Sequence, residues 1–156
     1  MGSLSKPVSV VPQAIVSATL TVETRKAGFT DITRDAVKFL NDVEAGDGAL
    51  LLYLRHTSAS LVIQENADPD VQDDLMTALA RLAPEHAGWV HDAESPDDMP
   101  AHIKAMLNGI SLTIPVSAGK AALGTWQGIY LVEHRSAPHT REIVLQFIGA
   151  KALDHK

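Results

Sequence analysis

The chain contains no cysteine, so thiolate nucleophiles, zinc-thiolate clusters and disulfide frameworks are all excluded, and any metal must be held by His, Asp or Glu. That composition suits a reducing compartment, and a cytoplasmic location is expected. Positive charge is scarce: 13 Lys and Arg against 19 Asp and Glu leave a net charge of −6, with no basic run able to track a phosphate backbone. No nucleic-acid partner is expected. Long apolar runs are also missing. Ala49 to Leu54 falls far below the roughly 20 residues of a membrane helix, and the N-terminus shows no charged-then-apolar signal pattern, so no membrane partner is expected.

What remains is a chain of 156 residues, 46% of them hydrophobic, enough to fill one core without a metal or cross-link. Residues 1–12 mix Gly, Ser, Pro and Val without periodicity and read as a disordered extension or tag remnant. A single domain is expected over 13–156.

Within it, Val16, Ala18, Leu20 and Val22 alternate with polar residues, the two-residue period of a strand with one buried face. Phe29 to Ile32 reads as a short strand. Thr33 then caps a helix with Ala36, Val37, Leu40 and Val43 on its inner face. Ala49–His56 and Leu61–Asn66 read as consecutive strands, and Asp68-Pro69-Asp70 marks the start of an amphipathic helix carrying Val71, Leu75, Ala78, Leu79 and Leu82. Pro84 to Pro100 is polar and aperiodic, a long loop of the kind that is functional or disordered. A short helix over Ala101–Asn108 and three strands, Ser111–Val116, Trp126–His134 and Arg141–Ile148, complete the chain. Strands broken by helices that do not alternate with them predict an α+β fold, a largely antiparallel sheet or sandwich with two amphipathic helices and a short third.

Several groups have chemical potential. His56, Thr57, Ser58 and Ser60 place an imidazole and three hydroxyls at a strand end, suited to phosphate oxygens or simply to bracing a turn. Glu65 and Asn66 end the next strand, where a carboxylate serves as general base, metal ligand or turn brace. His91, Asp92, His102 and Lys104 flank the acidic loop, but eleven residues separate the two histidines and thirty-two more lie before His134, unlike any local zinc motif. On a strand, Glu133 and His134 face opposite sides and cannot share one ion.

The order of these blocks resembles the YjbQ family: His56-Thr57-Ser58-Ala59-Ser60-Leu61, Glu65-Asn66, Asp68-Pro69, His91-Asp92, Asp97-Asp98-Met99-Pro100-Ala101-His102-Ile103-Lys104, Gly124-Thr125-Trp126-Gln127-Gly128-Ile129 and Glu133-His134-Arg135. One departure is Glu94-Ser95-Pro96, where the family commonly has Gly after the Glu. The resemblance implies an α+β homotrimer and the activity of a secondary thiamine-phosphate synthase, joining a pyrimidine diphosphate to a thiazole phosphate with release of pyrophosphate. It further implies a divalent metal, zinc, on His91, His102 and His134, with magnesium a further possibility for a diphosphate substrate. Glu65, Asp92, Lys104 and Arg135 are then the catalytic set. His56, Thr57, Ser58, Asn66, Thr125 and Gln127 bind a small phosphorylated metabolite. Two other readings use the same residues: a metal-dependent hydrolase of a small phosphorylated or carbonyl metabolite, with Glu65 or Asp92 as base, and a non-catalytic small-molecule or metal-binding module.

Overall fold

The computed structural model describes residues 2–152. The last four residues of the expected domain lie outside the described ones. Residues 2–12 form no helix or strand and are exposed, and the first strand is anchored by Gln13 N–H on the carbonyl of Gly149.

Two antiparallel sheets form the body. The five-stranded sheet contains β1 (Ala14–Thr24), β3 (Ala45–Leu54), β5 (Ser111–Ser117), β6 (Lys120–Ala121) and β8 (His139–Lys151), in the order β1-β8-β3-β5-β6. The three-stranded sheet contains β2 (Gly28–Asp31), β4 (Ala59–Glu65) and β7 (Gln127–Glu133), in the order β2-β7-β4. The strands read as consecutive over 49–66 therefore enter different sheets, the chain crossing between them at the His56–Ser58 turn. Leu50, Leu52, Leu54, Ile143, Leu145 and Phe147 of one sheet pack with Leu61, Ile129 and Leu131 of the other in a continuous core.

Helix α1 (Thr33–Asp42) adds Ala36, Phe39 and Leu40 to that core. The expected inner face is rotated: Phe39 is buried and Val37 exposed. Thr33 is not the cap, because its hydroxyl accepts from Ile129 N–H and so ties the helix start to β7 instead. Helix α2 (Pro69–Leu82) begins as expected, with Asp68 accepting from Asp70 N–H. Helix α3 runs Asp98–Asn108, starting before the expected Ala101. Pro100 sits in its first turn, where a missing N–H loses no helical hydrogen bond.

Val62 and Gln64 of β4 and Phe29 of β2 line a hollow with Leu75, Ala78 and Leu79 of α2, so this helix covers the outer face of the three-stranded sheet. Every residue of β7 after Gln127 is buried in consequence. The apolar residues on both faces of 128–132 are thus covered within the chain. No helix among the described residues is long and apolar enough to cross a membrane.

Candidate metal centre

Asp98 and His102 lie four residues apart on α3, which puts them on one face a single turn apart. His102 Nδ1 donates to the carbonyl of Thr57 at 2.9 Å. A carbonyl only accepts, so that nitrogen carries the proton when the ring is neutral, and Nε2 keeps a bare lone pair. This lone pair lies 3.6 Å from Asp98 Oδ1. His91, from the polar loop, completes the group with its Nε2 at 2.7 Å from Asp98 Oδ2. One ligand atom from each of the three residues falls within 4.8 Å of the others. Two imidazoles and a carboxylate brought this close form a donor set of the kind that holds a borderline divalent cation once His91 Nε2 gives up its proton.

Arg135 holds Asp98 from behind. Its Nη1 donates to Asp98 Oδ1 and its Nη2 to Ser95 Oγ, with Glu94 and Asp97 carboxylates 3.5 Å away. Asp97 fastens the helix start to the strand end by accepting from Ser136 N–H at 2.7 Å and Ser136 Oγ at 2.9 Å. Burial works against ionisation of Asp97, but its bonds from Ser95 and Ser136 and the Arg135 charge outweigh it and hold the pKa at about 2. Arg135 therefore positions the loop and helix. Its guanidinium donates to Asp98 and Ser95 and lies near two further carboxylates, while its buried Nε has no hydrogen-bond partner.

His134 is buried and stands apart from the three-residue group. Its Nε2 lies 2.9 Å from Ser60 Oγ, which in turn accepts from Asn108 Nδ2 at 3.1 Å. Its Nδ1 is buried without a partner. Burial, and then the nearby Lys104 charge, lower the His134 pKa to about 4, so the ring is neutral at pH 7. Ser60 is fully buried, so the Ser60–His134 pair offers no accessible nucleophile. On the other face of β7, Glu133 makes a buried ion pair with Arg141, as the strand parity requires.

The remaining expected residues divide by position. Thr57 is exposed and contributes its carbonyl to His102, while Ser58 is buried and accepts from Arg141 Nη2 at 3.0 Å. His56 Nε2 accepts from Glu142 N–H at 2.9 Å. Lys104 is half-buried, which lowers its pKa, and no ion pair to it occurs among the described residues. Asp92 is exposed and lines a 380 Å³ hollow with His91, Glu85, Trp89, Ser95 and Pro96.

Glu65, Asn66, Thr125 and Gln127 are elsewhere. Ala59 pairs with Glu133 at one end of the β4–β7 ladder and Glu65 with Gln127 at the other, six residues on, or about 20 Å along the strand. There Asn66 Nδ2 donates to the carbonyls of Thr125 and Gln127, and Gln127 Oε1 accepts from Gly124 N–H at 2.8 Å. These residues brace a turn, and within one chain Glu65 does not reach the histidines. Asp98 is the member of this group that the sequence alone does not single out, because its four-residue spacing to His102 has meaning only on a helix.

The profile of the YjbQ family, described as UPF0047 protein YjbQ-like, matches residues 18–150. The chain belongs to this family. The UPF0047 protein YjbQ of Escherichia coli O157:H7 is 42% identical over 132 residues, covering 84% of this chain and 96% of the relative. A Synechocystis UPF0047 protein is 50% identical over 103 residues, 65% of this chain and 70% of the relative. A YjbQ/UPF0047 family structure from Clostridium acetobutylicum superposes with TM-score 0.75 at 34% identity, covering 85% of this chain and 99% of that one. A YbjQ-like protein from Sulfolobus solfataricus, described as of unknown function, shares the fold at TM-score 0.78 and 24% identity over 88% of this chain and all of that one.

These findings overturn one expectation. The family and its E. coli member carry a name that states no activity, and the Sulfolobus structure is described as of unknown function, so thiamine-phosphate synthase activity is withdrawn for this YjbQ-family chain.

Proposed function

We propose that this YjbQ-family chain binds a divalent cation, zinc foremost, through His91, Asp98 and His102, and uses it to hydrolyse a small phosphorylated or carbonyl metabolite. One observation carries the reading: ligand atoms of His91, Asp98 and His102 fall within 4.8 Å of one another, with His102 Nδ1 engaged by the Thr57 carbonyl so that Nε2 is the atom turned to Asp98 at 3.6 Å. Magnesium suits it less, since two of the three ligands are imidazole nitrogens and magnesium prefers oxygen. When bound, the cation would supply Lewis acidity toward a phosphoryl or carbonyl oxygen.

The chain's own residues have distinct tasks. Thr57 fixes the tautomer and ring of His102, the second-shell orientation that such ligands need. Arg135 aims Asp98 and joins the His91 loop to α3 through Ser95. Asp92, beside His91 and open to solvent, takes the proton of an attacking water. Hydrolysis is favoured over nucleophilic catalysis because Ser58 and Ser60 are buried and already bonded. The proposal includes a cytoplasmic location and a homotrimer. The exposed Leu82 and Leu107 supply apolar surface for association, and light scattering reads the mass.

Zinc titration by calorimetry tests the reading. Asp98→Asn and His102→Ala should each weaken zinc binding at least tenfold, while His139→Ala should not, and turnover of a metabolite panel should disappear in His102→Ala. Undiminished zinc affinity in His102→Ala would remove the site. Loss of binding in His134→Ala together with retention in Asp98→Asn would move it to the three histidines.

A further inference from the structure

Adjoining the His91–Asp98–His102 cluster, and sharing His102 with it, lies a cavity of 370 Å³ between the His56–Thr57 turn and the last turns of α3. His56, Thr57 and His102 form its polar rim, and Ala105, Met106 and Ile110 its apolar wall. Gly109 ends α3 at φ +88, a conformation that L side chains rarely adopt, and this sharp exit brings Ile110 back against the cavity. Among the described residues no Lys, Arg, Asp or Glu lines it. A charged group placed there would lose water without gaining a counter-ion, so the cavity selects against charge. Its size is at the small end of ligand cavities.

The rim carries one donor of fixed identity. Glu142 N–H donates to His56 Nε2, which must therefore hold a lone pair. An imidazolium has none, so protonation of His56 would break this bond. The proton of the neutral ring sits on Nδ1, and that N–H is what remains for a ligand. Burial, followed by the Arg141 charge, lowers the His56 pKa and favours the same neutral form.

We propose that this cavity receives the uncharged, apolar part of the ligand and reads a carbonyl oxygen on it through His56 Nδ1–H, making His56 a specificity-determining residue. The role rests on the cation-site reading for its catalytic meaning, because His102 is shared by cluster and cavity. Binding to the cavity itself does not depend on the cation.

Methyl NMR on the full chain separates the two. Acetophenone, which has a ring and a carbonyl acceptor, toluene, which has the ring alone, and acetate, which has charge without a ring, are titrated while the Met106 and Ile110 methyl signals are followed. Acetophenone should shift both signals and bind about three- to tenfold more tightly than toluene, the worth of one neutral hydrogen bond. Acetate in the absence of zinc should shift neither. His56→Phe should abolish the advantage of acetophenone, whereas His56→Gln, which can accept from Glu142 N–H and still donate, should retain most of it. The ¹⁵N shifts of His56 should report a proton on Nδ1. Toluene binding as tightly as acetophenone, unmoved methyl signals, or an unchanged preference in folded His56→Phe would each overturn the proposal. Zinc affinity, measured in parallel, judges the cluster independently, so failure of either reading is recognised without the other.

Discussion

Glu133 and Asp98 are both buried carboxylates held by an arginine near the same end of β7, yet their surroundings differ in one decisive respect. Glu133 receives Arg141 Nε at 2.7 Å and Nη2 at 2.6 Å, Thr24 Oγ1 at 2.8 Å and Arg135 N–H at 3.0 Å. Its lone pairs are matched by donors, and although burial opposes ionisation, these bonds keep its pKa below the usual carboxylate value. Asp98 accepts from Arg135 and His91, and then faces Nε2 of His102 at 3.6 Å without a hydrogen bond. The first cluster is complete and can only hold the sheets together. The second has an acceptor left over beside a partly exposed imidazole, which is what a ligand site requires.

The comparison breaks most readily at Arg141. Arg141→Ala strands the Glu133 charge between the sheets and should cost about 3–5 kcal/mol in urea denaturation, with the exposed Arg55–Glu142 pair as control, because Arg55→Ala should cost less than about 1 kcal/mol. Similar losses from both would show that the interior pair has no special structural weight.

Next in size is a pH effect at His134, the neighbour of Glu133 on the opposite face. The unfolded ring takes up its proton near 6.5 and the folded one only near 4, so in that interval the unfolded state binds more protons and stability falls as pH falls. Urea melts should lose about 2 kcal/mol from this residue between pH 7 and pH 5. His134→Gln should flatten the profile there, and an unaltered slope would mean that the ring is not held neutral.

The smallest effect is expected at Asp98. In metal-free protein Asp98→Asn should cost only about 1 kcal/mol, since Arg135 keeps Glu94, Asp97 and Ser95. A loss equal to that of Arg141→Ala would make the cluster a structural one.

Much of the fold was legible because it rests on short-range rules. The alternation over Ala14–Glu23 appears as β1, and the Asp68-Pro69-Asp70 start of α2 appears with its capping bond. Less was legible at the site. His91 and His102 were singled out, but the third member of their group is Asp98, while His134 bonds Ser60. The resemblance puts Arg135 in the catalytic set and Ser58 on a phosphorylated metabolite, whereas carboxylates hold Arg135 and Arg141 bonds Ser58. Opposite charges and hydrogen-bonding groups have many candidate partners in a sequence, and spacing does not choose among them.

The sequence by itself determined the alternating strands, the amphipathic helices, the absence of thiolate chemistry and the family, since these depend on residue type and local period. Only the tertiary structure decided that the strands of 45–65 enter different sheets, that Glu65 and His91 lie in separate regions, and that one arginine closes a buried pair while another serves a cluster. Those outcomes depend on which distant groups are brought within a few ångströms. That is set by how the two sheets and α3 pack, and no local pattern encodes it.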